Sequence, residues 1–484
     1  MTRLAPDPLL ERVAHEPEAP ALRARSATWT RVQLLRAVDG LAAALLAEGI
    51  GEGSRVAALL DDDAPAVALV HALRRLGAVH VPLNRRAAPA ELRYQLELLS
   101  PALLLADRAG LERAREASPA GLGVERIEAL LAAAPCGLPP VLRTEIDLDT
   151  AATILFTSGT TGRPRGAILT HDNQRASAHA WAGLLRPVPG HRWLACLPLF
   201  HVAGLAIITR VTRWGAPLEL LDRFDVAAVS AALDDGVTHL SLVPTQLEAL
   251  LTVRADRPVP ESLQAVLLGG GPMPQALLAR AREAGYRVLT TYGLTETGSG
   301  VVSGGGDPAT LADPRTGRAL PGVELRIEPD GSADGAGEIL VRGEMVFGGY
   351  LDDAEATRVR LRDGWLHTGD VGTLSEDGLL RVLDRRDDLI VSGGENVYPA
   401  EVESVLAAHP AVHEAAVFGV TDERWGAVPA AAVVLHGEAG DDELAAFCRE
   451  RLAGYKVPIR FERRQDLPRN AFGKVQRHRL REPA

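Results

Sequence analysis

Helical and strand-like apolar patterns take turns along this chain as far as about residue 300. That alternation restricts its possible folds more than any other feature. Gln33 to Ile50, QLLRAVDGLAAALLAEGI, repeats apolar residues at helical spacing and runs out at glycine, as amphipathic helices do. SRVAALLDDD follows, a short apolar strand that breaks into acid. AVALVHALRRLGA and VHVPLN repeat the pair, with Pro and Asn closing the strand. VTHLSLVP, LQAVLLGG and YRVLTTYG add strands separated by helices. Such a chain folds as α/β layers, helices on largely parallel sheets, with functional loops at strand carboxyl ends.

After about residue 300 the texture changes. GVELRIEPDGSADGAGEILVRG and the segment around DGWLHTGDVGTLSEDGLLRVLDRRDD are short strands punctuated by DG turns, which predicts a small β-rich subdomain over about 300–384. From Pro399 the pattern is helix (AEVESVLAAH), two strands (EAAVFGV, AVPAAAVVLH), helix (DDELAAFCRERLAG) and strand (IRFE), a small α+β module. The last helix has acid in its first turn and Arg in its last, and Gly454 stands where a glycine cap is expected. DRRDD, at 384–388, marks a boundary, so an N-terminal domain is expected over 1–384 and a C-terminal domain over 385–484.

With 484 residues the chain can bury a large core. A formal charge of -11 argues against a protein that holds a nucleic-acid backbone. Cys136, Cys196 and Cys448 lack metal-ligand spacing and fit a reducing compartment. The N-terminus is charged and Pro-rich where a secretory peptide would be apolar. No run reaches the roughly 18–20 uninterrupted apolar residues of a membrane span. A cytoplasmic enzyme without integral membrane association is the expectation.

Chemistry concentrates first in ILFTSGTTGRPRGAILTHDN, at 154–173. An apolar strand runs into Thr157, Ser158, Gly159, Thr160, Thr161 and Gly162, and a helix is predicted to start near Asp172. Hydroxyls and bare backbone N–H groups in one tight loop suit phosphate oxygens. A Walker A loop would close on Gly-Lys-Ser/Thr; here Arg163 and Arg165 supply the positive charge.

TSGTTGRPRG resembles the phosphate loop of the adenylate-forming superfamily, which includes acyl-CoA synthetases, peptide-synthetase adenylation domains and luciferase. YGLTETGS at 292–299, DGWLHTGD at 363–370, DRRDDLIVSGGENVYPAEVE at 384–403 and PRNAFGK at 468–474 follow in the order of that superfamily's signatures. Arg165 stands where these enzymes commonly carry Lys. The resemblance implies ATP, Mg²⁺ and coenzyme A, and a carboxylic acid activated as an acyl-adenylate and passed to a thiol. It implies that Thr295 meets the ATP phosphates, that Glu296 holds Mg²⁺, and that Tyr292, Gly293 and the glycines of LLGGGP (Gly269, Gly270, Gly271) border the nucleotide and acyl group. Asp370 would receive the ribose hydroxyls, as a two-oxygen carboxylate can, and Arg385 would reach the same nucleotide. His201, in PLFHVAG, would border the acyl pocket and thiol channel. Asp387 takes the hinge position of a mobile C-terminal domain, and Ser392, Gly393 and Gly394 the thioester-forming face.

A count of the lysines finds two, Lys456 and Lys474, against 50 arginines. By resemblance Lys474 is the catalytic cation of the first half-reaction. A compact ammonium with three donors suits a narrow site better than a planar guanidinium does. Lys456 follows a helix C-terminus, where a cation meets the dipole favourably, or else contacts a CoA phosphate. The compact chain with LLGGGP, PLFHVAG and SGGENVYPAE is most similar to the o-succinylbenzoate–CoA ligases, which act in menaquinone biosynthesis. Such a substrate needs polar donors beyond an apolar wall, and Arg223, His201 and Ser299 are the candidates. Aryl- or medium-chain acyl-CoA ligases and stand-alone adenylation enzymes that load a carrier protein are the alternatives. A homodimer or larger homo-oligomer is compatible with any of them.

Overall fold

The computed structural model describes residues 3–87, 89–133, 142–157, 164–270, 274–306, 310, 316–329, 335–385, 390–392, 395–397, 399–422, 425–452, 454–469 and 475–480. Two large sheets lie in the first part of the chain and a third, five-stranded sheet in the last. The first sheet has seven strands, in the order Gly349–Tyr350, Arg165–Thr170, Ala151–Thr157, Val79–Pro82, Arg55–Leu59, Leu103–Ala106, Val124–Arg126. Arg55–Leu59 pairs in parallel with Val79–Pro82 and with Leu103–Ala106. The second sheet places Trp193–Ala195, His239–Leu242, Ala265–Leu268 and Val288–Leu294 side by side in parallel.

The predicted helices form with their expected punctuation. Arg31–Ala47 opens on a capping box between Thr30 and Gln33, which satisfies two backbone donors reciprocally. Ala64–Leu76 is capped by the Asp63 carboxylate and ends on Gly77 at φ 69°, a left-handed position that glycine takes without steric cost. Leu41, Leu69, Trp181 and Ile207, each at most 1% exposed, pack helices into one core with strand residues of both large sheets. Each such side chain contributes about 1.5–3 kcal/mol by leaving water.

Three features of the fold add to or correct the sequence pattern. The helix expected near Asp172 starts at His171, and before it Arg165–Thr170 forms a strand antiparallel to Ala151–Thr157, with Thr157 opposite Arg165. Ala167 and Leu169, buried at 0% and 1%, face the core from that strand, and the helix His171–Leu185 starts after it on a Thr170–Asn173 capping box. Second, the β-rich region expected over about 300–384 forms, and it joins a larger sheet. Ser299–Gly304 pairs antiparallel with Val288–Leu294, and the strands through Leu379–Arg385 continue the second sheet. Third, Gly454 does not cap the helix Asp441–Arg449, which ends at Glu450 with right-handed backbone; Gly454 opens a 3₁₀ turn, Gly454–Lys456.

The long sheet ends with Leu379–Arg385 and the third sheet begins with Ile390–Ser392. The third sheet carries the hairpin Val412–Asp422 and Gly426–Leu435, with the helices Pro399–Ala407 and Asp441–Arg449 beside it.

Candidate active site

A cleft of about 1070 Å³ opens at the carboxyl ends of strands from both large sheets. Ala151–Thr157 delivers Thr157, whose hydroxyl lies 3.5 Å from the Arg165 carbonyl. Arg165 begins the returning strand, and its Nε donates to Asp353 Oδ2 at 3.0 Å. Both residues line the cleft. Ser158, Gly159, Thr160, Thr161, Gly162, Gly271, Asp387, Gly393, Gly394 and Lys474 lie outside the described residues.

Val288–Leu294 carries Tyr292 and brings Gly293 to the cleft, and a 3₁₀ turn, Thr295–Thr297, presents Thr295 and Glu296 to it. The Glu296 carbonyl accepts the Phe347 N–H at 2.8 Å. Its Oε1 accepts the Tyr350 hydroxyl at 2.6 Å. Gly293 is required by packing, because an added Cβ would fall on the Ser299 carbonyl. The same holds at Gly269, where a Cβ would collide with the Thr291 hydroxyl. At Gly270 the reason is backbone, φ 80°. Close strand approach thus explains two glycines, Gly269 and Gly293, that the resemblance places beside the nucleotide and acyl group.

Asp370 is 5% exposed yet lines the cleft. The Tyr292 hydroxyl donates to its Oδ2 at 2.9 Å. Its turn is tightly held: Gly369, at φ 71°, donates its N–H to Glu338 Oε1 at 2.9 Å, and Thr368 donates to the Ile339 carbonyl at 2.7 Å. Arg385 pairs with Asp370 in register across two strands. Beside this turn Glu328, Glu338 and His367 come within 4.8 Å of one another. The Arg362 guanidinium lies 2.6 Å from His367 Nδ1 and within 4.0 Å of both carboxylates, so the group is an ion-pair network rather than a cation's ligand set.

The other half of the cleft is built on the helix Val202–Trp214. His201 stands at its N-cap, 4.4 Å ring to ring from Phe200. Burial, with help from the Arg86 charge, pushes its imidazole down to about 4, so it is neutral near pH 7. One face of this helix buries Leu205, Ile207, Ile208 and Val211. Arg210 sits among them, 2% exposed. Its guanidinium lies over Trp181, 4.9 Å from the ring centroid, and donates to Ser299 Oγ at 2.7 Å. Its Nε has no hydrogen-bond partner, and no carboxylate is among its ion pairs or charge neighbours within the described residues. Burial pulls its pKa down to about 9, so it remains a cation at pH 7. Ser299 adopts φ 130°, a strained conformation outside glycine. Arg223 is exposed at the rim of the same cleft.

Residues 9–351 match the AMP-binding enzyme family and residues 401–474 its C-terminal domain. The chain belongs to the AMP-binding enzymes. It is 40% identical to the 2-succinylbenzoate–CoA ligase of Bacillus mycoides (strain KBAB4) over 480 residues, 98% of each chain. The o-succinylbenzoate CoA synthetase of Bacillus subtilis in complex with its acyl-adenylate intermediate superposes with a TM-score of 0.93 at 38% identity, covering 100% of this chain and 99% of that one. The same synthetase bound to ATP and magnesium gives 0.92, at 38% identity over 99% and 100% of the two chains.

Of the candidates named from the sequence of this AMP-binding enzyme, Thr157, Arg165, His201, Arg223, Gly269, Gly270, Gly293, Thr295, Glu296, Ser299 and Asp370 line one cleft, and Tyr292 is not among its lining residues. Ser392 is not among its lining residues; it is 6% exposed in the third sheet. Lys456 does not line the cleft either, and its ammonium meets a side chain rather than helix carbonyls: both Glu401 oxygens, at 3.0 and 2.7 Å. Arg210 was missed, although a signal exists: an arginine inside the buried stripe of an apolar helix.

Asp62 was also passed over, as one of three acids ending a strand. It lines the cleft and its Oδ1 accepts the Leu199 N–H at 3.1 Å, tying Arg55–Leu59 to the His201 loop. Burial pushes its carboxyl up to about 7; the Leu199 bond and Arg86 oppose the shift and Asp222 adds to it. A folded pKa above the unfolded value of about 4 means that ionisation costs stability. The cost is absent below about pH 4, grows between pH 4 and 7, and is complete above pH 7. Asp62→Asn keeps an acceptor for Leu199. It is expected to raise the melting temperature at pH 8 relative to the parent, by an amount that shrinks toward pH 4.5 in thermal unfolding scans.

No described helix is long and apolar enough to cross a membrane.

Proposed function

We propose that this AMP-binding enzyme joins o-succinylbenzoate to coenzyme A. In the first half-reaction a substrate carboxylate oxygen attacks the α-phosphorus of ATP, a P–O bond forms, and pyrophosphate leaves. In the second, the CoA thiol gives up its proton, sulfur attacks the activated carbonyl, and AMP departs with the electron pair of the C–O bond. The protein makes no covalent bond itself, so it acts by positioning and charge.

On this reading Thr157 to Gly162, with Arg165, surround the phosphates. Tyr292, Gly293 and Gly269–Gly271 border the nucleotide, while Asp370 and Arg385 receive its ribose. Glu296 offers one carboxylate at the edge of the cleft, and one carboxylate with phosphate oxygens and water is a donor set that fits Mg²⁺. When bound, the ion neutralises charge on the leaving pyrophosphate. Glu296 and Thr295 hold their places through the 3₁₀ turn and its bonds to Phe347 and Tyr350. The neutral His201 imidazole walls the acyl site without adding charge. Lys474 is assigned to the reacting carboxylate and α-phosphate. Residues 1–384 and 385–484 form the two domains of this cytoplasmic enzyme, with Asp387 as hinge and Ser392–Gly394 presented for thioester formation.

The observation that carries the choice of acid is Arg210. A buried cation with no protein carboxylate, aimed at the same cleft as Glu296 and Asp370, suits a substrate that keeps a second carboxylate when the first is activated. Fatty and simple aromatic acids would leave that charge unmatched in a desolvated site. The test is a panel of o-succinylbenzoate, benzoate, hexanoate and decanoate with ATP, assayed for pyrophosphate and for thioester on free CoA or a phosphopantetheinyl carrier. The proposal expects o-succinylbenzoate and free CoA to be preferred. A stronger rate with a fatty or simple benzoic acid contradicts it.

A further inference from the structure

One short segment, Phe347 to Asp353, touches both charged ends of the phosphate side of the cleft. Phe347 donates its N–H to the Glu296 carbonyl at 2.8 Å. Tyr350 donates its hydroxyl to Glu296 Oε1 at 2.6 Å. The face of the same ring lies under the Arg165 guanidinium, 5.7 Å from its centroid. Asp353 divides its two oxygens: Oδ1 accepts the Ala356 N–H at 2.9 Å and caps the helix Ala354–Arg360, while Oδ2 accepts Arg165 Nε at 3.0 Å. The segment is itself locked to the Arg165 strand, with Tyr350 opposite Ala167. Tyr350 is 7% exposed.

We propose that Tyr350 and Asp353 are positioning residues that hold a carboxylate and a guanidinium ready for a metal-bound triphosphate, Tyr350 for Glu296 and Asp353 for Arg165. The inference rests on the metal and phosphate roles assigned above to Glu296 and Arg165. A carboxylate on a flexible stem and a nearby guanidinium would otherwise be free to turn toward each other or toward solvent. The tyrosine ring gives each its own contact instead: a charge-assisted hydrogen bond at its hydroxyl for the acid and a cation–π face for the base. Because one Glu296 oxygen is occupied by the phenol, the carboxylate's rotation is fixed before any ligand arrives. Outer-shell partners of this kind typically change metal affinity by about 10- to 100-fold when removed.

The test measures binding rather than turnover. Affinity for the non-hydrolysable analogue α,β-methylene-ATP is followed by calorimetry as Mg²⁺ is titrated, and affinity for AMP is measured without metal. Tyr350→Phe keeps the ring and loses only the hydroxyl. It is expected to raise the Mg²⁺ concentration for half-maximal analogue binding by about 10-fold and to leave AMP affinity within twofold. Asp353→Asn retains a helix-capping side chain. It is expected to weaken analogue binding severalfold at saturating Mg²⁺ and again to spare AMP. Glu296→Gln separates the two layers of the argument. If it leaves the Mg²⁺ requirement unchanged, the metal role of Glu296 fails and this inference with it. If it raises the requirement while Tyr350→Phe behaves as the parent, the inference alone is overturned, as it is if Tyr350→Phe weakens AMP and the analogue equally.

Discussion

Replacing Lys474 by alanine is expected to slow acid-dependent pyrophosphate release by about 10²–10³-fold, while thioester formation from preformed acyl-adenylate stays within a few-fold of the parent. The prediction follows from the role proposed for one of two lysines in a chain with 50 arginines. In the first half-reaction negative charge gathers where carboxylate and α-phosphate meet, and a preorganised cation there is worth most in a site closed to water. In the second half-reaction the leaving group is AMP, and on the proposed role the same cation is not required. Lys474→Arg is expected to remain impaired, because a planar fork cannot reach three oxygens in the volume of an ammonium. A near-parental rate for that variant would contradict this account of the lysine. A loss of both half-reactions in Lys474→Ala would contradict the use of two domain arrangements.

Replacing Arg210 by methionine is expected to lower kcat/KM for o-succinylbenzoate by about 10²–10³-fold, the scale of truncating one partner of a buried hydrogen-bonded charge pair at 2–5 kcal/mol. Activity with hexanoate should hold or rise, because the variant removes an unmatched charge from a site that a monocarboxylate cannot fill. The ligand-free fold should gain thermal stability, since a desolvated guanidinium with no carboxylate partner costs free energy until substrate arrives. Lysine is a poor rescue: it cannot lie flat on Trp181 while donating to Ser299. Equal losses for all acids, with a lower melting temperature, would mean that Arg210 serves the fold and not the substrate.

Much of this architecture was legible because its signals are local. Ala151–Thr157 reads as a buried strand from its apolar run. The acid, glycine and threonine signs that start and stop helices are likewise written within a few residues of the caps they make, as at Thr30, Asp63 and Gly77. What stayed hidden depends on partners far along the chain. Arg165–Thr170 is too short to declare itself as a strand, and it exists because Ala151–Thr157 and Gly349–Tyr350 flank it. Gly269 and Gly293 invite a ligand-based reason, yet Thr291 and Ser299 on adjoining backbone supply the steric one. Gly454 has the spacing of a cap, whereas the helix has already ended at Glu450. Tyr350 and Asp353 sit 54 and 188 positions from the groups they hold, beyond the reach of any periodicity argument.

The central claim is that this cleft activates a dicarboxylate whose second charge is read by Arg210. It is tested most directly by comparing kcat/KM for o-succinylbenzoate with that for its two monocarboxylate analogues, 4-oxo-4-phenylbutanoate and 2-butanoylbenzoate, in the parent enzyme and in Arg210→Met. The account predicts a preference for the dicarboxylate of about 100-fold or more over both analogues in the parent, which in the variant collapses toward unity for the analogue that keeps the reacting carboxylate. A parent enzyme that uses either analogue as well as o-succinylbenzoate would contradict it.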